Sequence, residues 1–424
     1  ANPADGPDPD DESMFMRNAK DYVKRIRNHA SIGLYCGRNE GYPTATLDKA
    51  LRDYVANLHP DMVYISSSAD DGVSGHGPYN ALSAEEYFKR VPVKFHSERG
   101  MPNVMSYESM IRTIRPDHLW PQSGKWGQHD YTMEGAQRGA SFNQLIEVGF
   151  GKPKDAKQFT ELAQWINYNG YRAMYESANV NRLGLIIWMS HPCWPSMVWQ
   201  TYDYCFEPTA AYFGAKKACE PVHIQWNAAT DSIEVVNLYG GDLQGLVAEL
   251  TVRDMQGKIV TTKQEKNLNI ANDSTTPCMA LGEDESPTTV SYVCLKLYDA
   301  NQQLISENFY LRSKDGNDYQ ELKRLPQTTL SSKMSYSEQQ RQWNGKVTIT
   351  NKSDVPALMI RLNVVGSDGV QILPMLYSDN YFSLMPGESK EVSLQWADRD
   401  THGKKAKVMI SGYNVEEQAA KITY

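Results

Sequence analysis

The sequence predicts a multidomain chain, with an α/β region over residues 1–219 followed by two all-β sandwiches over 220–313 and 314–424. Three observations carry this expectation. Before residue 220, helical stretches alternate with short apolar strands, the pattern of a parallel sheet covered by helices. After it, apolar runs alternate with period two between turn residues. The length of 424 residues exceeds one ordinary domain.

Within the α/β region, Asp5 to Glu12 is an acidic, proline-broken loop. Residues 14–28 read as a helix, with Met16, Ala19, Val23 and Ile26 near 3.6 spacing. Residues 31–37 are a short apolar strand of the kind that parallel sheets bury on both faces. A helix over 44–58 carries Leu47, Leu51, Tyr54, Val55 and Leu58 on one stripe, and Pro60 stops it. Residues 62–66 form the next strand, followed by a Gly-rich loop that reaches Tyr79. A short helix over 85–90 leads to a strand over 93–98. A long helix over 156–180 offers Leu162, Trp165, Ile166, Tyr171 and Met174 to a core, and 182–188 is the last strand of this half. The spacing suits a (β/α)8 TIM barrel. Only about five strands are present where closure needs eight, so the expectation is a partial barrel, about strands 4 to 8. The first three strands would then lie upstream in the same protein.

In the second half, residues 232–238, 247–252 and 290–297 are the clearest strands, with Met255–Lys258 as a turn, and they fit an immunoglobulin-like sandwich. A polar stretch, 313–327, links it to a second such unit containing strands 345–350, 358–364 and 392–396.

Composition narrows the function classes. The net charge of −8 is diffuse and Lys and Arg form no block, which argues against a nucleic-acid partner. No apolar run approaches the roughly 18 residues of a membrane span. The six cysteines show no C-x-x-C spacing and no paired His ligands, so they read mostly as buried small apolar residues rather than metal ligands. Cys278 and Cys294 fall within one late domain, and a disulfide between them is left open. The chain holds 9 Trp, 25 Tyr and 10 Phe. Such rings stack on sugar faces or fill β-sandwich cores, and composition alone favours the core. Gly72 to Gly77 contains a serine but lacks G-x-S-x-G spacing and reads as loop.

Two carboxylates stand out because each follows an apolar strand directly. Glu40 ends Leu34-Tyr-Cys-Gly-Arg-Asn-Glu40, and Glu98 ends Lys94-Phe-His-Ser-Glu98. In a barrel both would point into the mouth at the C-terminal ends of the strands. A retaining glycosidase needs two carboxyl groups about 5–5.5 Å apart, one to protonate the leaving oxygen and one to attack the anomeric carbon. The alternative is that strand-end glutamates are solvated or pair with Arg38 and Arg99. Asn39 is placed to bond a sugar 2-hydroxyl, and Trp188, at the end of the last strand, to floor a sugar site. Trp120, His191 and Trp194 are further candidates for substrate contact, with Trp126, His129 and Asp130 in the loop after Glu98. For each of these, ordinary packing or solvent exposure is the competing reading.

Cys36-Gly-Arg-Asn-Glu-Gly41, Phe95-His-Ser-Glu-Arg-Gly100 and Trp188-Met-Ser-His-Pro-Cys-Trp-Pro-Ser196 resemble the barrel signatures of glycoside hydrolase family 2. So does the Ala210 to Gln225 segment that leads into the first sandwich. The likeness covers essentially the whole chain and is greatest to the branch of exo-β-glucosaminidases, β-mannosidases and endo-β-mannosidases. It implies Glu40 as acid/base at the end of strand four and Glu98 as nucleophile at the end of strand seven. It also implies double displacement on a β-linked carbohydrate and no cofactor or metal. Arg99 departs from the aromatic or small residue that many relatives carry after the nucleophile, which blurs the substrate. A periplasmic or secreted location follows only from the glycan substrates. Two competing readings remain at this point: a non-catalytic carbohydrate-binding or surface module with an inert barrel remnant, and an inverting glycosidase with carboxyl groups about 6.5–9.5 Å apart.

Overall fold

Asp11 and Thr44 set the starts of the first two helices. In the computed structural model, which describes residues 8–132, 139–181 and 183–422, the Asp11 carboxylate accepts the Met14 N–H at 2.9 Å and opens α1 (Glu12–Ile26). Thr44 Oγ1 accepts the Leu47 N–H at 3.3 Å and opens α2 (Ala45–Leu58). Each cap satisfies an N–H that the first helical turn leaves unpaired. The strands β1 (Leu34–Arg38) and β2 (Val63–Ser67) pair in parallel, Tyr35 opposite Tyr64 and Arg38 opposite Ser67. A second parallel pair joins β3 (His96–Arg99) to β4 (Leu185–Ile187). Ser74 adds a single parallel bridge to His96. These strands lie in one of two structural units, formed by Ala1–Pro78, Pro92–Gly100 and Leu183–Trp188.

Parallel strands joined through helices are thus present, with two differences from expectation. Four regular parallel strands occur among the described residues, and the fifth step is reduced to the Ser74 bridge. Nor are the strands buried on both faces: Leu34 is 38% exposed, Val63 56% and Ile186 56%. A parallel strand is covered on both faces only where layers flank the sheet on both sides. The residues before β3 stay out of the ladder, and Val93 is 84% exposed. Residues 5–7 of the acidic opening and Arg182, at the start of the last expected strand, lie outside the described residues.

The second unit, formed by Tyr79–Val91, Met101–Arg182 and Met189–Tyr424, holds the remaining helices. These are α3 (Ala84–Lys89), α4 (Tyr107–Thr113), α5 (Pro116–Leu119), α6 (Gly139–Phe150), α7 (Ala156–Val180) and α8 (Ala210–Ala218). Asp155 caps α7 through the Gln158 N–H at 2.8 Å. Apolar and small residues run around this helix, so most of its length is buried. It meets α8 so closely that a Cβ at Gly214 would strike the carbonyl oxygen of Tyr168. Gly214→Ala is therefore expected to destabilise the protein by about 2 kcal/mol through forced separation of the two helices. A urea melt measures this, and an unchanged midpoint would refute the contact.

Residues 222–313 form two facing sheets. The first orders β5 (Val222–Asn227), β6 (Ser232–Asn237) and β9 (Ser274–Ala280) as β5-β6-β9. The second contains β7 (Leu243–Asp254), β8 (Ile259–Ile270), β10 (Val290–Tyr298) and β11 (Leu304–Ser313), ordered β11-β10-β7-β8. Inward residues including Ile224, Ile233, Val235, Leu250, Val293 and Leu295 make their common core. The turn at Met255–Lys258 is closed by the Gly257 N–H on Asp254 O at 2.9 Å, with Gly257 at φ +86°, a conformation that glycine adopts without a Cβ penalty.

Against expectation, none of the six cysteines is fully buried: Cys36, Cys193 and Cys219 are exposed and Cys205, Cys278 and Cys294 half-buried; all six are free thiols, so Cys278 and Cys294 form no disulfide. Cys278 lies on β9 and packs on the core, whereas Cys294, on β10, alternates with the core residues Val293 and Leu295. It therefore points to the other face of its sheet. Burial pushes both thiols up to about 12.

The last strands are β12 (Ser331–Gln339), β13 (Gln342–Thr350), β14 (Ala357–Val365), β15 (Leu376–Tyr377), β16 (Phe382–Leu384), β17 (Ser389–Ala397), β18 (Lys407–Gly412) and β19 (Val415–Ala419). They form two four-stranded sheets, β12-β13-β17-β15 and β16-β14-β18-β19. The polar stretch before them is packed rather than a free linker. Tyr319 rests on Phe150 of α6 at 5.8 Å, and its N–H donates to Gly149 O at 2.8 Å.

Buried polar contacts tie α7 to the first sandwich. His223 on β5 is enclosed between Glu176 of α7 and Glu220, each 3.0 Å from a ring nitrogen. Burial opposes the charge on this imidazole, but the two carboxylates outweigh it and hold the ring above its ordinary range. Burial would likewise raise Glu220, yet His223 and Lys217 bring it down to about 2.

Candidate active site

Glu40 stands two residues beyond β1, while Glu98 lies within β3 one residue before its end. Glu40 adopts φ +49°, a left-handed conformation uncommon for a residue with a Cβ. Its N–H donates to Ser68 Oγ at 2.8 Å, and Ser68 Oγ in turn donates to Asn39 Oδ1 at 3.1 Å. Ser68 directly follows β2, and its N–H donates to Arg38 O at 3.0 Å. The other side of the same residue meets the neighbour of the second carboxylate: the Ser97 hydroxyl, next to Glu98, donates to the Ser68 carbonyl. The ends of β1, β2 and β3 thus converge on one serine. Gly75 permits the approach, because a Cβ there would collide with the Ser68 carbonyl and the Ser97 hydroxyl.

Trp188 follows β4 and donates its N–H to Arg99 O at 2.9 Å, which sets it beside the residue after Glu98. Trp188 is 44% exposed, so its indole is reachable from solvent. Glu40 and Glu98 are both half-buried. His76 lies 4.0 Å from Glu40 Oε1 through Nδ1 and 3.5 Å from Asp70 Oδ2 through Nε2. Burial, then the Arg99 charge, push His96 down to about 4, so a neutral imidazole stands two residues before Glu98 at pH 7.

The other candidates belong to the second unit. Trp120 packs against Phe159 at 5.8 Å and edge-on against Trp126 at 6.3 Å, within an aromatic cluster that includes Tyr131 and Phe142. Trp126 is 1% exposed and its indole N–H is satisfied by His118 O at 3.1 Å. Trp194 and His191 are exposed, and His191 Nδ1 lies 2.9 Å from Ser190 Oγ. His129 Nδ1 lies 2.6 Å from Pro195 O. Asp130 takes φ +59°, and burial raises its carboxyl. Among the described residues, no group of three or more His, Cys, Asp or Glu side chains converges as a metal site requires. No helix among them is long and apolar enough to cross a membrane.

Sequence reasoning missed Ser68, Ser97, Asp70 and His76. The one signal available was the polar run Ser66-Ser-Ser68 at the end of an apolar strand, the position that had singled out the two glutamates.

Residues 308–415 match the family described as the exo-β-D-glucosaminidase Ig-fold domain. A mannosylglycoprotein endo-β-mannosidase of Lilium longiflorum is 26% identical over 97% of this chain and 54% of that protein. An exo-β-D-glucosaminidase of Streptomyces avermitilis is 26% identical over 93% of this chain and 49% of that protein. The crystal structure of an exo-chitosanase of Amycolatopsis orientalis superimposes with a TM-score of 0.88 at 21% identity, over 96% of this chain and 54% of that one. The chain spans about half the length of the curated relatives it matches. Its homologues are members of glycoside hydrolase family 2, the family its motifs resemble.

Proposed function

We propose that this chain supplies the catalytic carboxylates of a retaining β-glycosidase acting on β-mannosidic or β-glucosaminidic bonds. The observation that carries the reading is the convergence of Asn39-Glu40 and Ser97-Glu98 on Ser68, at the ends of parallel strands. Glu98, ionised, attacks the anomeric carbon while Glu40 gives its proton to the departing oxygen. Glu40 then takes a proton from water, which attacks the glycosyl-enzyme and releases the sugar with its configuration retained. Asn39 bonds the 2-hydroxyl, where contact strengthens as the oxocarbenium ion develops. Trp188 offers its exposed face to the sugar ring.

The apolar residues left exposed on β1, β2 and β4 support a further element of the proposal. A (β/α)8 barrel is completed by preceding strands of the same protein, which cover these residues and close the pocket. The 424 residues alone are therefore expected to hydrolyse no aryl β-glycoside. Glycan substrates favour a periplasmic or secreted location, and we propose it on that ground alone.

The test screens the intact protein, barrel complete, on aryl β-mannoside, β-glucosaminide and β-galactoside. The anomer first released is read by NMR. Cleavage of the mannoside or glucosaminide with retention is expected. Inversion, or no cleavage by the folded intact protein, would sink the proposal. Turnover by the isolated chain that Glu98→Gln abolishes would overturn its dependence on preceding strands.

A further inference from the structure

Ser68 links the ends of the three strands at this site. Its hydroxyl accepts the Glu40 N–H at 2.8 Å and donates to Asn39 Oδ1 at 3.1 Å, so one oxygen fixes the backbone of one residue and the side chain of the next. Glu40 needs such a hold, because its φ of +49° is a conformation that a residue with a Cβ leaves unless its surroundings retain it. The Ser68 N–H is anchored on Arg38 O at 3.0 Å, and its carbonyl receives the Ser97 hydroxyl. Gly75 closes over this carbonyl, where any side chain would collide. A serine used only to end a strand would satisfy its hydroxyl locally or in solvent. This one spends its hydroxyl on two consecutive residues 28 and 29 positions away.

We infer that Ser68 is a positioning residue for the acid/base step: its hydroxyl sets the direction of the Glu40 carboxyl and the reach of Asn39, while its carbonyl ties both to the strand that carries Glu98. The inference rests on the assignment of Glu40 as acid/base. Losing the hydroxyl frees the Glu40 backbone and misaims the carboxyl, and misplacement of a catalytic group by about 1 Å costs on the order of 10²-fold in rate. Protonation of the leaving oxygen matters most when the leaving group is poor. The loss therefore falls on substrates that need the proton and largely spares those that do not.

The experiment measures glycosylation rates of the intact protein on an alkyl or phenyl β-glycoside and on the 2,4-dinitrophenyl β-glycoside of the same sugar. It compares wild type, Glu40→Gln, Ser68→Ala, Ser68→Thr and Ser97→Ala. Glu40→Gln is expected to lose about 10³-fold on the poor leaving group and little on the activated one. Ser68→Ala should show the same selectivity at about 10- to 100-fold, with Ser68→Thr restoring most of the rate because it keeps the hydroxyl. Ser97→Ala, which frees only the Glu98 side, should slow both substrates alike. Thermal unfolding separates this from loss of fold, since a destabilised protein loses both activities in proportion. If Glu40→Gln discriminates between the substrates and Ser68→Ala does not, the positioning role is overturned while the acid/base assignment stands. If Glu40→Gln slows both equally, that assignment fails and the inference goes with it.

Discussion

Glu98→Gln is expected to lower turnover of the intact protein by about 10⁴-fold or more on every substrate, whatever the leaving group. An amide leaves no carboxylate to form the glycosyl-enzyme, so no part of the double displacement proceeds. The variant should fold normally, because Gln matches Glu in shape and Glu98 is half-buried rather than enclosed. In Glu98→Ala, which removes the side chain, added azide should restore turnover by attacking from the vacated face, giving a glycosyl azide of inverted configuration. Steady-state rates and NMR of the azide product check both points. A variant retaining more than about a hundredth of wild-type activity would exclude Glu98 as nucleophile.

The largest stability effect is expected at Arg361. This guanidinium on β14 donates through Nη1 to both carboxylate oxygens of Glu108 on α4, each at 3.0 Å, and through Nη2 to Glu207 Oε1 at 2.5 Å. Ser106 Oγ and Gln371 Nε2 satisfy the other Glu207 oxygen at 2.5 and 2.9 Å. Burial alone would raise the Glu108 carboxyl, but Arg361 outweighs burial and holds it below its usual range. Arg361→Met leaves Glu207 enclosed and Glu108 half-buried without their cation and is expected to cost about 3 kcal/mol. Adding Glu108→Gln and Glu207→Gln to it should recover most of that, since the stranded charges are then gone. Denaturant melts measure both. Because the folded Glu108 value lies below the ordinary 4.5, its contribution is complete above that pH and is lost as pH falls through the folded value. The gap between wild type and Arg361→Met should therefore narrow on acidification. A cost under about 1 kcal/mol for the single variant would mean that the second sandwich is held to α4 by packing alone.

The parts of this molecule legible in the sequence are those where one segment decides its own structure. Helix α7 was readable at both ends because a cap, an apolar periodicity and a polar exit coincide within it. Strands β6, β7 and β10 were readable because their inward residues alternate. By contrast β8 carries Thr261-Thr-Lys-Gln-Glu-Lys266 along an exposed edge, so no core face marks that stretch. The exposure of β1 and the separation of Cys278 from Cys294 depend on which layer covers which face, and local pattern carries no record of that. The same divide runs through the site. Glu40, Glu98 and Trp188 announce themselves by standing at or near the ends of short strands. Ser68 does not, because its importance lies in contacts made 28 and 29 residues back in the chain, and Arg361 reaches Glu108 across 253.

The claim that Glu98 is the nucleophile is tested most directly by trapping. The intact protein, incubated with a 2-deoxy-2-fluoro β-glycoside bearing an activated leaving group, should accumulate a covalent adduct of one sugar per chain. Peptide mapping should place it on the Phe95-His-Ser-Glu-Arg-Gly100 segment at Glu98. Label on Glu40 or on any other carboxylate would contradict the assignment of roles at this site.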